Sequence, residues 1–254
     1  MPTPRGRNLP ISLPRRWIGD LLHFARKVPG VVVERKIDLR AVRRARAGTA
    51  PRRSWCAIFL KGYALVASEM PELRRAYLPF PWPHFYEHPF SIASVAVERS
   101  YRGERAVFFG HLRAPEQQSL TALDARLRRY KEEPVETFGL FRRALTVSRL
   151  PRPLRRLVWW IGLNGSGPAR ARRMGTFGVS VYSGLGAESY NHYTPLTTSL
   201  NYGVIGADAP VSVRVIYDHR VMDGATVARA LARLEEVLNG DILGEMGSCS
   251  GRAA

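Results

Sequence analysis

Two hydrophobic periods meet near the C-terminal end of the chain. Val211, Val213, Val215 and Tyr217 alternate with other residues in a run rich in β-branched side chains, which predicts a strand over 211–217. Val227, Leu231, Leu234 and Leu238 then recur at spacings of four and three, one stripe of a helix. Asp223 stands at the N-cap of that helix and Asn239-Gly240 at its stop. The string between the two elements, Asp218-His219-Arg220-Val221-Met222-Asp223-Gly224, is therefore anchored at both ends. An imidazole on such a turn is aimed in one direction, as a reacting histidine must be.

The same reading carries back along the chain. Trp17, Leu21, Phe24 and Val28 mark a short amphipathic helix that Pro29-Gly30 closes. Val31 to Leu39 reads as a strand, with Asp38 opening a basic turn or short helix. Arg43, Arg44, Arg46, Arg52 and Arg53 surround a Gly-Thr-Ala-Pro loop, a solvated segment. Ser54 caps a helix through about Glu69, with Ile58, Phe59, Tyr63, Val66 and Ala67 as its apolar stripe. Tyr77 to Pro89 is dense in Pro and aromatics and reads as a packed loop. Its His84 and His88 have no third partner for a metal. Phe90–Val97 and Glu104–Leu112 read as two strands joined by a hairpin-like turn at 99–103. Ser119 caps a helix built on Leu120, Leu123, Leu127 and Tyr130. Residues 134–173 set Phe138, Phe141, Leu145, Trp159 and Trp160 among nine Arg and suit one or two short helices broken by Pro151 and Pro153. Strands interleaved with helices make this an α/β chain.

Composition narrows the function classes. No apolar run reaches the length of a membrane span, and no signal peptide is read at the N-terminus. Two cysteines, Cys56 and Cys249, make neither a disulfide framework nor a metal site, which fits a reducing cytoplasm. The formal net charge of +18 is that of a protein with a polyanionic partner. The arginines are dispersed, however, and only four of the 39 basic residues are Lys. No zinc-finger spacing, Gly-rich phosphate loop or ribonucleoprotein motif accompanies them, so no nucleic acid is expected. A peripheral membrane contact stays open for the Arg/Trp segment. Residues 1–14 read as a flexible basic arm, 15–245 as one domain and 246–254 as a flexible tail.

The Asp-His-Arg-Val-Met-Asp-Gly string resembles the His-x-x-x-Asp-Gly signature of the dihydrolipoamide acyltransferases, core subunits of 2-oxoacid dehydrogenase complexes, and of chloramphenicol acetyltransferase. Further segments resemble the same family: Pro71-Glu72-Leu73 at a helix end, Gly175-Thr176-Phe177-Gly178-Val179-Ser180, Tyr193-Thr194-Pro195 and Tyr202-Gly203-Val204-Ile205-Gly206, and the resemblance implies strands at 175–180 and 202–206. The resemblance spans about residues 28 to 245, without a lipoyl domain, swinging linker or subunit-binding domain. It implies a chloramphenicol acetyltransferase-like two-layer α/β sandwich, a mixed sheet with helices packed mainly on one face. It also implies a homotrimer or a multiple of one, with the histidine of one subunit facing the serine of the next.

By that resemblance the protein is a free-standing acyltransferase. The donor is an acyl thioester of coenzyme A or of a lipoyl- or pantetheine-type carrier. The acceptor is a thiol, hydroxyl or amine, and no metal or bound cofactor takes part. His219 is expected to take the acceptor's proton. Ser180 is expected to stabilise the oxyanion, with Ser183 a rival because two extra residues precede the family's Leu-Gly here. Asp223 is expected to fix the turn by pairing with an arginine, either Arg220 or one near residue 43, and Gly224 to leave room for close backbone approach. Two other readings remain: a non-catalytic trimeric scaffold of the same fold, and a basic module that binds membrane or nucleic-acid surfaces.

Overall fold

The computed structural model describes residues 6–206 and 210–250. The ends of the expected arm and tail, residues 1–5 and 251–254, lie outside them. Six strands form one mixed sheet. These are β1 (Gly30–Ile37), β4 (Ile92–Tyr101), β5 (Glu104–Arg113), β6 (Phe177–Val179), β7 (Thr198–Tyr202) and β8 (Val211–Asp218), in the spatial order β1-β8-β7-β6-β4-β5. β6 runs parallel to both β4 and β7, while the other pairings are antiparallel. The 77–89 segment, expected as a loop, instead folds with the residues before it into a small hairpin of β2 (Arg75–Leu78) and β3 (His84–Glu87).

One face of the sheet carries the main core. Val213, Val215, Phe177, Val179, Leu200, Val95 and Phe108 face helices α3 (Trp55–Glu69), α4 (Leu120–Glu132) and α8 (Gly224–Val237). Ser54 and Ser119 cap α3 and α4 as expected, each accepting from a main-chain N–H three residues on. Gly110 of β5 makes room for the ring of Tyr130, which a Cβ would meet at 2.6 Å.

A second, smaller layer lies on the opposite face, over the β4–β5 half. It consists of α1 (Leu13–Ala25), α6 (Arg152–Asn164) and α7 (Gly167–Met174), with α5 (Gly139–Arg149) at the sheet edge. Pro151 and Pro153 fall at the start of α6, where a missing N–H costs nothing. Trp159 is buried against Trp17 and Phe24 of α1. Asp20 of α1, 1% exposed, accepts from Arg155 at 2.6 Å and Arg156 at 2.8 Å. The Arg/Trp segment therefore packs on the domain through these groups, although Leu157, Trp160 and Ile161 remain exposed. Among the described residues no helix is long and apolar enough to cross a membrane.

The C-terminal end differs from expectation. Asn239-Gly240 does not stop the helix: α8 passes through one wide turn at Leu238–Ile242 into α9 (Leu243–Ser250). Residue 246 thus begins no flexible tail, because Met246 is buried. Glu245 pairs with Lys61 of α3 and accepts from the main-chain N–H of Leu120 at 2.7 Å. These are tertiary anchors, and no local pattern announces them. At the other end Ser12 caps α1 from inside the expected arm.

Candidate active site

His219 stands one residue beyond β8. The strand is held to its end, since the Asp218 N–H donates to the carbonyl of Thr197 at 2.8 Å and the His219 N–H to that of Pro29 at 3.1 Å. The turn closes by the Val221 N–H donating to the Asp218 carbonyl at 3.0 Å. Asp218 is 1% exposed and holds Arg220 through three contacts. Its carboxylate accepts from the main-chain N–H at 3.0 Å, from Nε at 2.9 Å and from Nη2 at 2.7 Å. The Arg220 guanidinium also lies 4.4 Å from the ring centre of Tyr77. Behind it Arg170 is buried. It donates to the carbonyls of Leu163 and Pro195, and burial pushes its guanidinium down to about 10 against the pull of Asp218.

The expected role of Asp223 is corrected by this network. Arg220 pairs with Asp218, and Arg43 donates to the carbonyl of Gly206, so neither holds Asp223. Asp223 occupies the N-cap position of α8, yet its side chain caps nothing. It is exposed, with one oxygen 3.6 Å from Nδ1 of His219, too long for a hydrogen bond. The imidazole is half-exposed, 5.5 Å from the ring of Tyr217. At Gly224 the close approach is by side chain rather than backbone: a Cβ there would meet the Tyr217 hydroxyl at 3.2 Å, a tight contact that the phenol would have to yield to.

Ser180 lies at the end of β6. Gly175, at φ +90°, and Thr176 clamp the start of that strand to β4. The Thr176 N–H donates to the Ile92 carbonyl, and its hydroxyl accepts from the Ile92 N–H at 2.9 Å. At the far end the Ser180 N–H donates to Leu200 and its carbonyl accepts from Asn201 at 2.6 Å. Its side chain borders a cavity of about 370 Å³. Ser183 is not among the residues that line that cavity, and it lies beside the phenol of Tyr202. The geometry thus separates the two serines.

The expected strand at 202–206 is displaced; β7 ends at Tyr202. Its polar side chains Thr198, Ser199 and Asn201 are buried, and Ser199 and the Asn201 amide nitrogen find partners there. His192 Nε2 lies 2.7 Å from the hydroxyl of Ser199, beneath Gly178, where a Cβ would meet that hydroxyl at 2.7 Å. This histidine escaped the sequence reading because its partner is seven residues away across a loop. Among the described residues no cluster of three potential metal ligands occurs, and His84 is spent on the Trp82 carbonyl.

Ser180 and His219 of one chain do not meet. Ser180 is level with Asn201 on β7, and His219 is one step beyond the level of Thr197. Five residues of strand separate these levels, roughly 16 Å, with about 10 Å more across two strand spacings.

The sequence matches no protein-family profile and no curated protein. Solved structures do resemble it. Dihydrolipoamide acetyltransferase of Azotobacter vinelandii, solved to examine a serine, a histidine and an asparagine in its catalytic mechanism, is 17% identical. It aligns over 93% of this chain and 92% of its own, with a TM-score of 0.68. A probable dihydrolipoamide acetyltransferase of Listeria monocytogenes is 14% identical over 92% of this chain and 94% of its own, with a TM-score of 0.64. The cubic core of a pyruvate dehydrogenase multienzyme complex is 17% identical over 93% and 92%, with a TM-score of 0.63. Across nearly the whole of its length, this chain has the fold of the dihydrolipoamide acetyltransferases.

Proposed function

We propose that the protein is an acyltransferase that moves an acyl group from a thioester to a thiol, hydroxyl or amine, in sites shared between copies of the chain in a homotrimer or a multiple of one. The observation that carries this reading is the separation of Ser180 and His219. Each is positioned by its own strand end, and they are too far apart in one chain to touch one carbonyl group. A rotationally symmetric assembly brings the His219 end of one copy to the Ser180 end of the next. The Azotobacter enzyme supports the assignment, since its asparagine follows its histidine by four residues, the spacing of Asp223 from His219.

His219 takes the proton of the acceptor as its heteroatom bonds to the thioester carbon, a service worth on the order of 10²–10⁴ in rate. The carbonyl electrons move onto oxygen, where the Ser180 hydroxyl donates to the oxyanion. The oxyanion collapses, the C–S bond breaks, and the leaving thiolate takes the proton back from His219. The donor is a thioester of coenzyme A or a lipoyl- or pantetheine-type carrier, and the excess of arginine suits an anionic carrier.

Co-expression of two inactive chains tests this. His219→Ala and Ser180→Ala each keep one half of the site, so a random mixture should recover about a quarter of wild-type sites. Thiol release from acyl-coenzyme A no higher in the mixture than in either variant would rule out sharing. Sedimentation of a stable monomer would do the same.

A further inference from the structure

The cavity beside Ser180 has a floor and a roof of different chemistry. The floor is a row across four strands. His111 of β5 pairs with Ser94 of β4, Ser94 with Gly178 of β6, and Gly178 with Ser199 of β7. Residues directly opposite in a sheet share a face, so these side chains point to the same side, away from the main core. All four positions and His192 line the cavity. The roof and far wall are apolar: Trp17 and Leu21 of α1, Phe109 of β5 and Trp159 of α6.

The floor is polar but neutral. His192 Nε2 is bonded to Ser199 while its Nδ1 is buried without a hydrogen-bond partner among the described residues, and the main chain of Arg172 lies beside His111. Burial pushes both imidazoles down, His111 to about 4, so they carry no charge at neutral pH. An apolar group can cover such a surface without stranding a charge. Ser94 adds one hydroxyl in the middle of the floor. The charged residues on the wall, Arg15, Glu98 and Arg173, all reach solvent.

We propose that this cavity holds the acyl chain of the donor, and that the protein prefers apolar acyl groups of medium length to acetyl. This rests on the acyl-transfer reading above. The reacting carbonyl oxygen must reach Ser180, and the substituent on that carbonyl carbon then lies along the floor from β6 toward Phe109, about 10 Å across two strand spacings. A volume of about 370 Å³ takes roughly a dozen non-hydrogen atoms. The carrier, being polar or anionic, stays outside this neutral pocket.

The test uses acyl-coenzyme A donors from acetyl to decanoyl, together with the inert thioethers ethyl- and decyl-coenzyme A. Each buried methylene should raise kcat/KM up to about fourfold, giving at least about two decades from acetyl to decanoyl. Decyl-coenzyme A should bind at least about tenfold tighter than the ethyl compound by calorimetry. Ala96, on the cavity wall, and Val107 provide two independent fillings. Ala96→Phe and Val107→Phe should each cut the decanoyl-to-acetyl ratio by at least about thirtyfold, read on whichever variant melts cooperatively. Transfer that proceeds equally well for every chain length would overturn the cavity assignment and leave the acyltransferase reading standing. Length dependence in the acceptor series alone would overturn it in favour of an acceptor pocket. If the wild type turns over no donor, yet prefers decyl- to ethyl-coenzyme A and loses that preference on filling, the chain site stands and the transfer reading falls.

Discussion

Arg220 grips Asp218 from two residues away, with two side-chain contacts at 2.9 and 2.7 Å and its own main-chain N–H at 3.0 Å. A carboxylate that is 1% exposed needs such compensation, and the pair stiffens the turn from which His219 projects. Arg220→Ala should therefore cost about 3 kcal/mol in urea denaturation, the usual penalty for stranding a buried charge. Arg220→Lys should recover part of it, because an ammonium keeps the charge and loses the fork. A loss below about 0.5 kcal/mol for Arg220→Ala would show that Asp218 is held by other means.

His219 is half-exposed and carries none of the core, so His219→Ala should leave the urea midpoint nearly unchanged. Its kcat should fall by at least about two decades if it is the base. Full turnover by the variant, on a donor that the wild type uses well, would remove His219 from the mechanism.

The two serines are told apart by what they face. Ser180→Ala should lower kcat by roughly 10²–10³, since its hydroxyl borders the cavity. Ser183→Ala should change kcat by less than about threefold, since Ser183 is not among the residues that line the cavity. The reverse order, measured by single-turnover kinetics, would move the oxyanion donor across the two-residue insertion.

Asp223 neither caps α8 nor meets an arginine; its partner in reach is Nδ1 of His219. Asp223→Asn should thus leave the urea midpoint nearly unchanged, since the side chain is exposed and caps nothing. If it orients the imidazole, Asp223→Asn, which keeps an acceptor oxygen, should lower kcat less than Asp223→Ala. Equal kcat in the wild type and both variants would show that the 3.6 Å approach does not act on the reaction.

Stability should fall in acid for an identifiable reason. Burial lowers the pKa of His88 and of His111 from 6.5 to about 4, so both are neutral in the folded protein below the pH at which the unfolded chain protonates them. Unfolding then takes up about two protons between pH 6.5 and 4, and stability is lost through that window as pH falls. The slope of urea midpoint against pH should flatten in His111→Gln. An equal slope in wild type and variant would place the uptake elsewhere.

Some of this was legible in the sequence because local periodicity and caps decided it. The strand at 211–217, the helix after it and the caps Ser54 and Ser119 follow from spacing alone, and they place His219 on its turn. β7 lies before the expected 202–206, and Thr198, Ser199 and Asn201 look like loop residues in sequence. Their burial depends on neighbours on β6 and on His192, which only the assembled sheet supplies. α9 is illegible for the same kind of reason, since Glu245 finds Lys61 and the start of α4 across the fold. The hairpin at 75–87 hid behind its prolines. Residue chemistry at positions 180, 183, 219 and 223 was written in the chain, but not which serine faces a cavity or which aspartate holds Arg220. Those choices depend on distances between segments far apart in sequence, and such distances exist only once the sheet has set its register.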